Sequence, residues 1–177
     1  MRYIASCILG LCLLSGCGSD SNIVPDQRTA IESYIANRYP DYIVQNGVYK
    51  CVTNMDRPEY ATAEIASSGD SVWFHFAAYT FGSSPAASPY FTDIAEILEG
   101  DTVLNPKYWP NGPQAVKIGA TPMIKGLTAG LPECRTGDSV LLFITSDLGY
   151  DDKTVGVVEK NTALMYFCLL YTSDAAD

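Results

Sequence analysis

Residues 123–131 read MIKGLTAGL and residues 136–150 read TGDSVLLFITSDLGY, and the rest of the chain is organised around these two stretches. Ile124, Leu127 and Leu131 recur at helical spacing, which predicts a short helical turn with one apolar face. The apolar run VLLFI in the second stretch is long enough for a strand buried on both faces and too short for a buried helix. We therefore expect a buried turn that leads into a buried strand.

Composition limits the class of protein. The chain has 177 residues, 47% of them apolar, which suffices for the core of one domain. Its net charge of −9 comes from 20 acidic and 11 basic residues without a long run of one sign. This balance argues against nucleic acid as a partner and indicates a solvated acidic surface, and we expect a monomer.

The first residues are typical of a processing signal. Arg2 precedes a short apolar region, and residues 14–17 read LSGC, which matches the bacterial lipobox. A transmembrane helix would need about 20 apolar residues, more than are present. We predict a lipoprotein signal peptide at 1–16, acylation of Cys17 with palmitate-type chains, and a polar tether at 17–25. The protein would then be membrane-anchored in the cell envelope, at the outer membrane, facing the periplasm or the cell surface.

The other end of the chain has an unusual sequence. Residues 168–177 read CLLYTSDAAD, which a standard transposase sequencing adaptor encodes when it is read through in this frame. We expect the natural protein to depart from this sequence after Phe167. With the signal-peptide cysteines and Cys17 set aside, Cys51 and Cys134 remain, either as a disulfide or as two buried free thiols.

Between the tether and the core, residues 26–40 predict an N-terminal helix. Asp26 is placed to act as its N-cap, and Tyr39-Pro40 ends it. Its apolar residues form one stripe, which predicts packing on the domain or on a partner: Ile31, Tyr34 and Ile35.

Strand signals follow. The β-rich runs at 42–44 and 48–52 flank an Asn-Gly pair, the strongest short-range signal for a hairpin. Residues 71–79, SVWFHFAAY, predict a strand rich in aromatic side chains. Its alternation places His75, the only histidine, on the face opposite Phe76. A single histidine cannot form a multi-histidine metal cluster, so we interpret His75 as structural or solvent-facing.

Taken together, MIKGLTAGL, the TGD turn, the apolar strand and SDLGY resemble the FKBP-type peptidyl-prolyl isomerase family. The family pattern is V-I-x-G-(W/L)-x-x-G-(L/V), then G-(D/Q), a strand, and (P/S)-x-x-x-Y. The resemblance covers residues 48–167, with 71–79 as the first pocket strand and 161–167 as the closing strand. It implies an α+β fold in which a curved antiparallel sheet wraps a short helix, with an FKBP-like domain at 41–167 and the additional N-terminal helix.

The resemblance also implies a site. It places an apolar set around a proline ring: Phe76, Phe91, Ile124, Leu127 and Tyr166. It places four further residues at the substrate rim: Asp93, Met123, Val157 and Val158. The Tyr150 hydroxyl and the Ile124 N–H would donate to substrate carbonyls. Two positions depart from the family, since Leu127 stands where many members have Trp and Gln114 where an aromatic is frequent.

Some of these residues have a second interpretation. Asp93 is displaced by one position from the acidic residue of the family's F-D element, and with Glu96 it also fits a capping box for a short helix. Phe76, Ile124 and Tyr166 taken alone fit ordinary core positions. Tyr150 follows a Leu-Gly turn outside any periodic run, which favours a role in the pocket.

The chemistry that the chain permits is narrow. It carries no nucleophile–base set, paired-cysteine metal motif or glycine-rich phosphate loop, so we expect no cofactor and no metal. Prolyl isomerisation needs none of these, because its barrier of about 18–20 kcal/mol is the double-bond character of the amide. We therefore expect an isomerase that acts on proline-containing polypeptides. The alternative is a non-catalytic module of the same fold that docks peptide, glycan or protein.

Overall fold

The computed structural model describes residues 22–97 and 112–171. The signal peptide, the lipobox with Cys17 and most of the tether lie outside the described residues, as do the proline-rich segment at 98–111 and residues 172–177. Within the described ranges, no helix combines the length and apolar character that a bilayer crossing requires.

Over the described residues, the fold is an antiparallel sheet of seven strands with one α-helix on each face. In chain order the elements are α1 Ile23–Ile35, β1 Ile43–Gln45, β2 Val48–Val52, β3 Ser71–Phe81, β4 Phe91–Thr92, β5 Gln114–Lys117, α2 Lys125–Gly130, β6 Ser139–Ile144 and β7 Ala163–Tyr171. The strand order is β1-β2-β6-β7-β3-β4, and β5 pairs with the first half of β3. The predicted α+β architecture with an N-terminal helix is confirmed.

Two apolar layers hold the sheet between the helices. The inner core, on the α2 face, includes Phe74, Leu127, Leu131, Leu142, Ile144, Val158, Leu164 and Tyr166. The outer core, on the α1 face, includes Ile31, Ile35, Phe81, Phe143 and Met165. Successive residues of β6 alternate between the two layers and are buried in both, as the VLLFI run predicts.

Two glycines let α2 lie close against β6. A Cβ on Gly126 would overlap the side chain of Ile144, and one on Gly130 would lie 2.9 Å from Leu142 Cδ2. The Gly-x-x-x-Gly spacing of MIKGLTAGL thus places both small residues on the face of the helix that touches the strand.

The N-terminal helix differs from its prediction at its start. The apolar stripe is confirmed, since Ile31 and Ile35 are fully buried. The predicted cap at Asp26 is wrong, because α1 begins at Ile23 and Asn22 is the residue before it. Pro25 falls in the first turn, where backbone N–H groups lack helical partners and a proline is tolerated.

The hairpin predicted from the Asn-Gly pair is present, and the two cysteines are free thiols. Asn46 and Gly47 both have positive φ, 48° and 84°, between the paired residues Gln45 and Val48, which is the geometry of a tight hairpin turn. Cys51 and Cys134 are free and buried in opposite layers of the fold, which resolves the open alternative in favour of thiols.

The last strand continues beyond Phe167. Cys168 and Leu170 pair with Phe76 and Phe74 of β3, and both are buried in the inner core. Strand pairing therefore extends to Tyr171, and core contacts extend to Leu170. A random adaptor-encoded sequence would not be expected to provide these contacts. The alternation of apolar residues in CLLY is what the closing strand of this sheet requires, and the origin of residues 168–177 remains a prediction.

Candidate functional site

Three aromatic rings meet where β7, β3 and β4 lie side by side. The Phe76 ring centroid lies 4.8 Å from that of Phe91 and 5.7 Å from that of Tyr166. Ala78 of β3 is paired with Phe91 on one side and with Tyr166 on the other. Cross-strand partners point to the same face, so the small Ala78 leaves room for the two large rings beside it.

The start of α2 packs against the same inner core as these rings. Met123 and Ile124 are half-buried against the inner core, and Leu127 is buried in it. Ile124 is extended, with φ −59° and ψ 147°, and its carbonyl accepts the N–H groups of Leu127 and Thr128. Among the described residues, none accepts a hydrogen bond from the Ile124 N–H, which leaves this donor available to a ligand carbonyl.

The polar part of the site is a cluster of tyrosines. The hydroxyls of Tyr90 and Tyr166 are hydrogen-bonded at 2.9 Å. Tyr150 is half-buried against the inner core. Burial raises the pKa of Tyr166 and of Tyr90 above the ordinary value, and the Tyr150 hydroxyl adds hydrogen bonding that raises both further. These hydroxyls therefore stay protonated at neutral pH and can act as hydrogen-bond donors.

Tyr90 is a site residue that the sequence analysis missed. It precedes Phe91, the residue that the family resemblance marks, and its N–H donates to the Ala78 carbonyl at 2.8 Å. Its link to Tyr166 spans 76 positions of sequence. The adjacency of Tyr90 to Phe91 was the one available signal, and strand alternation would have placed Tyr90 on the other face; Tyr90 lies just before β4 and packs in the same cluster.

Asp93 sits inside the fold, where its carboxylate is fully engaged. One oxygen accepts the Phe76 N–H at 2.7 Å and the other lies 3.0 Å from His75 Nδ1, with the Asp93 side chain only 1% exposed. It thereby fastens the end of β4 to the pocket wall at Phe76 and does not offer a free carboxylate at a rim. Among the described residues the partners of the Asp93 carboxylate are Phe76 and His75, not the N–H of Glu96, so the alternative of a capping box is wrong.

The two valines predicted at the substrate rim differ in exposure. Val157 is 78% exposed, whereas Val158 is 1% exposed and packs in the inner core. Reciprocal backbone hydrogen bonds between Val155 and Val158 close the turn that presents Val157. Of the pair, only Val157 has the exposure that a rim residue needs.

Seven of the predicted site residues belong to one packed cluster: Phe76, Phe91, Met123, Ile124, Leu127, Tyr150 and Tyr166. Two open cavities lie elsewhere, of about 370 Å³ beside Tyr39 and Met55 and about 380 Å³ beside Ile23 and Asp152. Neither is lined by the aromatic residues predicted to form the site. Within 22–97 and 112–171, no group of three His, Cys, Asp or Glu residues is placed to hold a metal ion.

Such an arrangement suits a neutral, flat, partly apolar ligand group. The rings and the α2 side chains supply an apolar surface, and the Ile124 N–H and the tyrosine hydroxyls supply donors. The one buried carboxylate at the site, Asp93, is already occupied by Phe76 and His75. The described part of the site can therefore hold an amide against an apolar surface.

Comparisons with known proteins agree with this geometry. "FK506-binding protein 1" of Aspergillus oryzae (strain ATCC 42149 / RIB 40) is 29% identical over 100 residues, which are 56% of this chain and 79% of that protein. A peptidyl-prolyl cis-trans isomerase from Pseudomonas syringae pv. tomato str. DC3000 superposes with a TM-score of 0.56 at 14% identity, over 87% of this chain and 95% of that one. FkpA from Escherichia coli superposes with a TM-score of 0.54 at 14% identity, over 85% of this chain and 60% of that one.

The two structural likenesses show the fold, and the predicted FKBP-like arrangement is confirmed. The family follows from the sequence match, because the model described as FKBP-type peptidyl-prolyl cis-trans isomerase spans residues 62–170, more than half of the chain. The expectation of a peptidyl-prolyl isomerase is thereby confirmed at the level of the family. With the match running from before β3 to the end of β7, the chain belongs to the FKBP-type peptidyl-prolyl cis-trans isomerase family.

Proposed function

We propose that the protein is a lipid-anchored peptidyl-prolyl isomerase and folding helper that acts on X-Pro bonds of exported polypeptides in the cell envelope. The observation that carries the catalytic part is the meeting of the Phe76, Phe91 and Tyr166 rings in the same apolar core against which Ile124 packs. Among the described residues, none accepts the Ile124 N–H. An apolar wall next to a backbone donor is what a proline ring and its neighbouring carbonyl require.

The mechanism relies on stabilising the twisted amide. Water stabilises the planar, charge-separated amide, so moving the X-Pro bond onto an apolar surface favours the twisted state relative to the planar one. The rings would hold the proline, and the Ile124 N–H and the Tyr150 hydroxyl would fix the flanking carbonyls. Because burial keeps Tyr90 and Tyr166 protonated, no charge is needed or created in this cycle.

The lipid anchor rests on the LSGC sequence at residues 14–17, and the polar tether at 17–25 would hold the domain away from the membrane. Two or more acyl chains bind a bilayer stably, whereas one chain binds only marginally. Cys17→Ala should therefore leave an unlipidated precursor that partitions into the aqueous phase of a detergent extraction. An unchanged mass and unchanged partitioning after Cys17→Ala would overturn the lipoprotein proposal.

One observation favours the second candidate, a non-catalytic docking module. Leu127 stands where many family members have Trp, so the floor of the site offers less ring surface. The two candidates separate in a single assay series with proline tetrapeptides that vary the residue before proline. The isomerase accelerates cis–trans exchange of at least one peptide, whereas a docking module binds peptides and leaves their exchange at the uncatalysed rate.

A further inference from the structure

One side chain of helix α1 is hydrogen-bonded to two backbone positions on either side of Tyr150. Gln27 Oε1 accepts the Ser146 N–H at 2.8 Å, and Gln27 Nε2 donates to the Asn161 carbonyl at 2.8 Å. Both ends of the amide are used, so the side chain bridges two backbone positions from a third element. Gln27 lies outside residues 62–170, the part of the chain that the family model matches.

Those two backbone positions bracket Tyr150. The Asp151 N–H donates to the Ser146 carbonyl at 2.7 Å, and the Asn161 N–H donates to the Asp151 carbonyl at 2.7 Å. Gln27 closes this chain of bonds into a ring that runs through Ser146, Asp151 and Asn161. Tyr150 is the residue next to Asp151, so its backbone is fixed wherever this ring is fixed.

This closed set of hydrogen bonds stabilises two residues that have unfavourable backbone conformations. Asp151 and Asn161 both have left-handed conformations, with φ of 59° and 58°. Residues other than glycine persist in this region when surrounding contacts hold them there. Ser146 is also only 2% exposed, so its N–H has little access to water if Gln27 is removed.

We propose that Gln27 is a positioning residue for catalysis, which keeps the Tyr150 hydroxyl beside the Tyr90–Tyr166 pair and in reach of the substrate. This inference rests on the proposed function, in which Tyr150 donates to a substrate carbonyl. It assigns α1 a role beyond covering the outer core, because the helix holds the active-site loop from the opposite face of the sheet.

The test compares Gln27→Ala with Ser33→Ala in the full-length protein. Ser33 is an exposed residue of the same helix whose Oγ donates to the Thr29 carbonyl, so its variant removes a side-chain hydrogen bond without touching the loop. We expect Gln27→Ala to lower kcat/KM by about three- to tenfold, as expected for loss of one hydrogen bond to the substrate, and Ser33→Ala to leave it unchanged.

A double-mutant cycle separates positioning from general damage. In the Tyr150→Phe background the hydroxyl is already absent, so adding Gln27→Ala should cause little further loss. Equal losses from Gln27→Ala in both backgrounds, or no loss in either, would overturn the positioning role. If Gln27→Ala does not fold, Gln27→Glu replaces it, since it retains the acceptor for Ser146 and loses the donor to Asn161.

Amide hydrogen exchange tests the loop independently of catalysis. Gln27→Ala should accelerate exchange at Ser146, Asp151 and Asn161, whereas Ser33→Ala should not. If Gln27→Ala accelerates exchange at these amides but the wild-type protein has no isomerase activity, the proposed function is overturned and the contact is upheld. Unchanged exchange at these three amides would overturn the inference whatever the activity.

Discussion

The Tyr90 and Tyr166 hydroxyls lie 2.9 Å apart between two strands that each flank β3. This bond gives an otherwise apolar cluster a fixed polar point, and it orients the one ring, Tyr166, that also stacks on Phe76. The polar and apolar parts of the site are thus held together by the same residue. Predictions about stability and catalysis follow from this arrangement.

The tyrosine bond should show coupling. Tyr90→Phe leaves the Tyr166 hydroxyl buried without this partner, so it should lower the free energy of unfolding by about 0.5–1.5 kcal/mol. The double variant Tyr90→Phe/Tyr166→Phe should cost less than the sum of the single changes, because no orphaned hydroxyl remains. Urea unfolding of the four proteins measures the coupling, and strictly additive losses would contradict a direct bond.

Asp93 should matter through the backbone it holds. Asp93→Ala leaves the partly buried Phe76 N–H without its acceptor, which should cost about 1–3 kcal/mol and loosen a pocket wall. Asp70 Oδ2 likewise accepts the Ser67 N–H, but at an exposed turn, so Asp70→Ala is the matched control and should cost less. Thermal unfolding compares the two, and a larger effect at Asp70 would contradict the assigned role.

Removing one partner of the buried ion pair between Arg57 and Asp138 should be strongly destabilising. The N–O distance is 2.7 Å, with side chains 10% and 1% exposed, and Asp138 also accepts the Arg135 N–H. Asp138→Ala leaves a charge uncompensated and should cost about 3–5 kcal/mol. Glu59, 64% exposed and 3.5 Å from Arg57, supplies the control, because Glu59→Gln should cost at most about 1 kcal/mol.

The buried thiols predict a loss of stability at alkaline pH. Burial raises the pKa of Cys51 from 9.0 to about 12 and that of Cys134 from 9.0 to about 11. The folded state therefore retains protons that the unfolded state releases, so this contribution is complete below pH 9 and declines as pH rises toward 11 and 12. Urea unfolding at pH 8 and pH 10 measures it, and equal stability at both would contradict burial of the thiols.

Local patterns found the elements whose signals lie close together in sequence. The hairpin at Asn46-Gly47, the alternation of β6 and the turn that ends at Gly130 all depend on residues within a few positions. The start of α1 was missed because Asn22 and Asp26 are both acceptable caps, and only the tertiary contacts of the helix select between them.

The site was predicted where a family pattern marked it and missed where distant residues meet. Phe76, Phe91 and Tyr166 were placed by the resemblance, and the structure brings them into contact. The Tyr90–Tyr166 bond and the Gln27–Ser146 bond join residues 76 and 119 positions apart. No periodicity marks such pairs, because their register follows from strand order and helix docking.

The most direct test of the catalytic account is the rate of cis–trans exchange at an X-Pro bond with wild-type protein and with Tyr150→Phe. Uncatalysed exchange takes about tens to hundreds of seconds, so exchange spectroscopy readily detects acceleration by the protein. We expect wild-type protein to accelerate exchange and Tyr150→Phe, which retains the ring and the fold, to be about three- to tenfold slower. A folded wild-type protein that leaves exchange at the uncatalysed rate for every residue before proline would contradict the account.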